Sequence, residues 1–254
     1  MNLETDHGIV GHAPILPRRQ PAVGRLPPVL TDEHRDAHVA FLGRGELPSK
    51  VEPEVAAERC RELLTLVPAR VSHNRQCHST RIVAPGSQPV EADGLVTTLP
   101  DLALAVFTAD CVPVLLAAPG VVAAIHAGWR GLAGGIVRDG VRELATRAEA
   151  PTDRIVAWVG PCIGGCCYEV GEEVAERVAA AATPDVVIPR EPRPHLDLSG
   201  AARAQLEAAG VEDVRWWRHC TACSPERWWS HRREAGRAGR NYALVWRAGS
   251  SRAP

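Results

Sequence analysis

The sequence predicts a single mixed α+β domain in which helices cover a sheet or a pair of sheets. Three observations point there. From Arg81 onward, short β-branched or apolar runs are broken by Pro, Gly and Asp, the pattern of strands between turns. Other stretches carry apolar residues at helical spacing. The 254 residues, 45% hydrophobic and 23% charged and without an internal repeat, have ordinary globular composition and suit one large domain.

In chain order, residues 1–35 are rich in Pro, Arg and His without periodicity and read as a flexible N-terminal arm, with the folded domain over residues 36–250. HVAFLGRG, from His38, reads as an entry strand ending at a glycine-flanked arginine, Arg44. VEPEVAAERCRELLTLV, from Val51, has the apolar spacing of a first helix. RIVAP, GLVTT, LALAVFTA, VPVLLAA and VVAAIHA are strand-like, and GWRGLAGGIVRDGVRELATRA reads as a glycine-rich turn entering an amphipathic helix. RIVAWVG is a further strand, GEEVAERVAAAA and LSGAARAQLEAAG are helices, and VRWWRHC and NYALVWR close the chain as strands. Five of the seven tryptophans fall between Trp216 and Trp246, which marks that late segment as packed.

The formal net charge of -1 supplies no field that would recruit nucleic acid or an anionic membrane, so small-molecule chemistry is the better expectation. Acidic Glu4 and Asp6 and the lack of a long apolar run at the N-terminus argue against a secretory signal. No segment offers about 18 uninterrupted apolar residues for a membrane span. A cytoplasmic protein is expected. In that setting eight cysteines mean buried thiols, metal ligands or a nucleophile more often than disulfides.

The chemistry concentrates in AVFTADCVPVLLAAPGVVAAIHAGWRG, Ala105 to Gly131. Two strand-like runs are joined by a short Pro-Gly connection, and a hairpin there would bring Cys111, beside Asp110, and His126 to one sheet edge. Alone, a cysteine is usually a small buried hydrophobe and a histidine a satisfied hydrogen-bonder. Together they admit two functional readings. Cys111 is a nucleophile activated by His126, or both are metal ligands with a third from elsewhere. His78, in RQCHSTRIV, is the best third candidate, and a His-His-Cys set leaves one tetrahedral position for substrate.

Other groups are more ambiguous. Cys220-x-x-Cys223 resembles half of a structural zinc site, but the other half, in PCIGGCCYEV, is irregular, and small thiols packing beneath glycine turns is the bland alternative. Arginines beside Gly-rich or Trp-rich turns (Arg130, Arg232, Arg233 and Arg240) have the fork that suits phosphate or carboxylate, or are simply solvated.

At this point EADGLVTTLPDLALAVFTADCVPVLL, AAIHAGWRGLAGGIV, VGPCIGGCCYEVGEEV, LDLSGAARAQL and CTACSPERWWSHRREAGRAGRNYALVW resemble, in order, the laccase-domain (YfiH-like) family, from about Arg75 to Arg247. Its members were called polyphenol oxidases and are now regarded as purine nucleoside phosphorylases. The resemblance implies a four-layer α/β/β/α sandwich of mixed sheets in one domain, with a metal site of His78, Cys111 and His126. It implies zinc, with copper as the alternative, since such donors bind Cu(II) more tightly. It further implies phosphorolysis of adenosine, inosine, guanosine and methylthioadenosine, with adenosine deamination. The alternatives are a cysteine or zinc hydrolase editing peptidoglycan precursors, and a copper-dependent polyphenol oxidase. A partner surface around the Trp-rich tail is a third, non-enzymatic reading.

A multicopper mechanism needs many histidines, commonly in His-x-His pairs. This chain has ten, none so paired, and four precede residue 40. Phosphorolysis needs an anion site, for which Arg44, Arg130 and Arg233 are expected, with Glu169 at the substrate. Asp110 and Glu169 are candidate proton movers, although Asp110 could equally brace Cys111. The partners expected are a purine nucleoside and phosphate, with the chain a monomer or small homo-oligomer. The sequence departs from the family at FLGRGELPSK, which lacks a longer glycine loop after Arg44, and at Ala202, where an asparagine is usual.

Overall fold

The computed structural model describes residues 29–44 and 70–249. Thirteen strands run over Val29–His34 (β1), Ala37–Leu42 (β2), Arg70–Ser72 (β3), Ile82–Val83 (β4), Gly94–Thr97 (β5), Leu102–Thr108 (β6), Val112–Ala118 (β7), Val121–Ala127 (β8), Val156–Val159 (β9), Val187–Ile188 (β10), His195–Leu196 (β11), Asp213–Trp216 (β12) and Asn241–Arg247 (β13). Four helices span Trp129–Gly134 (α1), Ile136–Ala148 (α2), Glu172–Ala181 (α3) and Leu198–Ala208 (α4).

The strands form two main mixed sheets, one in the order β1-β2-β13-β6-β3 and one in the order β12-β9-β7-β8-β5-β4. They pack through one shared core, in which Phe41, Leu104, Val106 and Val245 meet Leu115, Val122 and Trp158. The opposite face of the larger sheet, with Val114, Leu116, Ala123 and Ile125, packs with buried residues of α2, α3 and α4. Every residue of β7 and β8 is therefore buried. Alternate side chains enter different cores, which is why both runs are continuously apolar rather than alternating. Helix α2 lies close on β8: a Cβ at Gly140 would overlap Ile125 Cδ1.

The outer face of the smaller sheet is buried too, with Ala40, Leu42, Ala103, Leu244 and Trp246 in its own cluster. The helix expected from Val51 lies outside the described residues, which form the two sheets and one helical layer. Among them no helix is long and apolar enough to cross a membrane.

Two expectations change. The arm was expected to reach residue 35, but β1 pairs antiparallel with β2 from Val29↔Leu42 to His34↔Ala37. VLTDEH lacks apolar alternation because its inward group is polar. Asp32 accepts hydrogen bonds from Trp158 Nε1 at 2.9 Å and from Arg215 Nη1 at 2.6 Å, joining one sheet to the other. The glycine-rich turn before the amphipathic helix is itself helical as α1. Gly135, at φ +84, ends it with a capping N–H and separates it from α2.

Candidate metal centre

The β7–β8 hairpin sets the site's register. It turns at Pro119 and Gly120, the latter at φ +80, and pairs Val112 with Ala127 and Pro113 with His126. Cys111, just before β7, thereby comes to the same end of the sheet as His126, near the end of β8. His78 arrives on the loop before β4, with its own backbone in the left-handed region at φ +62. One ligand atom from each of the three lies within 4.8 Å of the others. Cys111 Sγ is 3.8 Å from His78 Nε2, and the two imidazoles meet edge to face with centroids 4.9 Å apart. A Cβ on Gly128 would stand 2.7 Å from His78 Cδ2 and 3.2 Å from Cys111 Sγ, so only glycine leaves the trio its space. His126 is buried, Cys111 half-buried and His78 exposed, so the site opens to solvent on the His78 side.

Sequence reasoning missed Asp93, which organises the trio. It is 1% exposed. Its Oδ1 lies 2.7 Å from His126 Nδ1 and accepts the His78 N–H at 3.0 Å. Its Oδ2 accepts from Ser79 N–H at 2.6 Å, Ser79 Oγ at 2.7 Å and Cys77 N–H at 3.2 Å. Burial alone would push the Asp93 carboxyl up, but His126 and Ser79 outweigh it and hold it well below the usual carboxylate range. One carboxylate thus orients the His126 ring and pins the loop carrying His78. Its only trace in the sequence is a lone aspartate in EADGL.

The donor chemistry fits a metal ion. With Nδ1 engaged by Asp93, His126 has Nε2 free for an ion, the carboxylate–histidine arrangement typical of metal sites. Burial raises the Cys111 thiol, but His126 and then His78 more than reverse this and bring it to about 6. Burial likewise opposes charge on His126, yet Cys111 and Asp93 raise it to about 9. Each group favours charge on the other, and an ion bound here would take the place of the proton they share. Two imidazoles and a thiolate suit zinc and also copper.

The remaining candidates divide. Asp110, buried at φ +93, accepts from Thr221 Oγ1 at 2.6 Å and from Arg232 N–H at 2.7 Å, so both its oxygens are occupied. These bonds hold a backbone conformation that costs a non-glycine residue about 1–3 kcal/mol. Both Asp110 oxygens are thus engaged by the segment from Thr221 to Arg232, directly behind Cys111. The Arg233 guanidinium is engaged within the protein, donating to the carbonyls of Thr221, Ala222 and Trp228 and to Glu234 Oε1. Arg44 joins the same clasp, donating to Glu234 Oε1 at 2.9 Å and to the Pro225 carbonyl at 3.1 Å, with its guanidinium 4.1 Å over the Trp229 ring. Ala202, where the family has asparagine, is fully buried in the helix-side core.

Arg130 is exposed, stacked 4.4 Å from the centre of the Trp129 ring. The neighbour of Arg233, Arg232, is exposed. It stacks 5.1 Å from the Tyr168 ring centre and donates to the Glu169 carbonyl at 2.9 Å, leaving the exposed Glu169 carboxylate clear of that bond. Burial, and next the negative charge of Cys111, push the Tyr168 hydroxyl up to about 12, while Arg232 and Arg130 act against them. Tyr168, Arg130 and Arg232 thus form an electrostatic group with Cys111, and Tyr168 had no signal in the sequence beyond a lone aromatic in a cysteine-rich turn.

Residues 43–248 match the family described as multi-copper polyphenol oxidoreductase laccase. The chain is 45% identical over 175 residues to a purine nucleoside phosphorylase of Deinococcus radiodurans, an alignment covering 67% of each protein. It is 40% identical over 163 residues to adenosine deaminase RL5 of an unknown prokaryotic organism, covering 61% of this chain and 62% of that one. Among solved structures, YlmD from Geobacillus stearothermophilus superposes with a TM-score of 0.77 at 30% identity, covering 91% of this chain and 98% of that chain.

Proposed function

Since the chain belongs to the family described as multi-copper polyphenol oxidoreductase laccase, we propose that it is a zinc-dependent purine nucleoside phosphorylase with adenosine deaminase activity, acting on adenosine, inosine, guanosine and methylthioadenosine. The observation that carries this reading is the solvent-open trio of His78, Cys111 and His126, with Asp93 behind one imidazole. Relatives named for both activities support it.

When bound, the ion supplies Lewis-acid polarisation at the reacting centre. The chain's own residues do the rest. Asp93 holds His126 in one tautomer and ring orientation, and Asp110 holds the Cys111 backbone. Arg130 and Arg232 are the cations we assign to phosphate, because Arg44 and Arg233 are engaged by Glu234. Glu169 is the carboxylate we assign to proton movement, because Asp110 has no free oxygen. Tyr168, a neutral hydroxyl at working pH, can donate a hydrogen bond to the substrate.

The several coppers in the family's description find little support here. The described residues hold one trio with mixed nitrogen and sulfur donors, and the sequence has no His-x-His pair.

The test is product separation after incubation with adenosine, with and without phosphate. Adenine formed only with phosphate, together with inosine, supports the proposal. Absence of both, with cleavage of a serine-terminated peptidoglycan precursor, replaces it with the editing reading. Oxidation of a phenol in their place replaces it with the polyphenol oxidase reading.

A further inference from the structure

A second set of donors converges away from the trio. Cys166, Cys167, Cys220 and Cys223 place their sulfurs within 4.8 Å of one another. Cys223 Sγ is 3.3 Å from Cys167 Sγ and 3.5 Å from Cys166 Sγ. Four thiolates at about 2.3 Å around one zinc ion stand about 3.8 Å apart along the edges of their tetrahedron. The two closest observed spacings fall within about half an ångström of that value, and all four sulfurs lie within 4.8 Å of one another. We propose that these four cysteines form a second, structural metal site, a closed tetrathiolate that takes zinc.

Three features support it. First, the bland reading of thiols packed as small hydrophobes requires burial, and Cys166 and Cys223 are exposed. Cys162, close in sequence but outside the set, is the buried one. Second, the surroundings suit a charged sulfur: the Gly164 N–H donates to Cys220 Sγ at 3.2 Å. A Cβ on Gly164 would stand 3.2 Å from Cys166 Sγ and 3.3 Å from Cys220 Cβ, so glycine keeps the space between the two segments clear. Third, the backbone holds those segments in register. Cys162 and Cys220 form a parallel bridge, with Thr221 N–H bonded to the Cys162 carbonyl at 2.9 Å. A disulfide from Cys223 to either neighbour would leave two converging thiols without a role, whereas one ion accounts for all four. Soft thiolate donors select zinc over hard cations.

The consequence is a staple next to the first site. It ties the turn leading to Tyr168 to the segment whose Thr221 holds Asp110 and whose carbonyls hold Arg233.

The test counts metal independently of activity. The full chain is purified under a thiol reductant without chelator, and zinc per chain is measured for wild type, the C220S/C223S double variant and His78→Ala. The double variant is expected to lose about one equivalent, while His78→Ala retains the equivalent the double variant has lost. Metal content unchanged by C220S/C223S overturns the proposal, whatever happens at His78. If the double variant does not fold, metal-stripped wild type is titrated with cobalt. Two sites, one with an intense sulfur-to-metal charge-transfer band, are expected; one site with a weak band overturns the proposal.

Discussion

Replacing Asp93 with Asn tests whether one carboxylate organises the metal centre. The side chain is buried at 1% exposure and takes part in six hydrogen bonds through two oxygens, the weakest from the Cys77 thiol. Asn keeps the shape but has a single acceptor oxygen. If that oxygen stays toward His126 and His78, the new NH2 group faces the N–H donors of Ser79 and Cys77. A hydrogen bond to a charged group contributes about 1.5–3 kcal/mol, and each buried donor left unpaired costs about 1–3 kcal/mol. Allowing for relaxation of the loop, D93N should lower the unfolding free energy of the metal-free protein by about 2–4 kcal/mol. It should also weaken zinc binding about 10–100-fold, as loss of such an outer carboxylate does elsewhere. Denaturant unfolding of stripped protein gives the first quantity and chelator competition the second. Wild-type values for both would refute the role given to Asp93.

Three further perturbations separate neighbouring explanations. Gly140→Ala forces a methyl group onto Ile125, and overpacking of about 1–3 kcal/mol should exceed the helix-propensity gain, lowering Tm; a higher Tm would show that α2 can move off β8. Arg233→Ala should destabilise the fold by about 2 kcal/mol because it strips partners from three carbonyls, whereas Arg232→Ala should leave stability near wild type and raise KM for phosphate; the reverse pattern would exchange their roles. At Asp32, burial raises the carboxyl, but hydrogen bonds from Arg215, Trp158 and the Glu33 N–H outweigh it and lower the pKa. A depressed carboxylate contributes stability above its unfolded pKa of about 3.9 and loses it as pH falls through the folded value. The stability gap between wild type and Asp32→Asn should therefore be constant near neutral pH and close in acid. A gap that widens in acid would contradict the assignment.

What the sequence made legible follows from local rules. The Pro-Gly connection fixed the β7–β8 register, and with it the meeting of Cys111 and His126, because a short hairpin leaves little freedom. His78 was legible as a histidine just before a strand-like run, the best candidate for a third ligand. Asp93 and Tyr168 were not reachable: each is a single residue in a loop without periodicity, and its meaning comes from loops that fold over it. The inward engagement of Arg233 beside the exposed Arg232 has the same origin, since in the turn after Ser230 one residue's offset decides whether a guanidinium points inward or out. Strand β1 was hidden because VLTDEH carries Asp32 inward to Trp158 and Arg215, a polar link across two sheets that hydrophobic patterning cannot signal.

The central claim is that the His78–Cys111–His126 trio works as a metal centre and that Cys111 is not a nucleophile. The most direct measurement follows adenosine conversion in the presence of phosphate by protein treated with a strong chelator and then given zinc or copper. Adenine formation is expected to be lost on chelation and to recover with zinc. Undiminished activity in protein verified to be free of metal would contradict it.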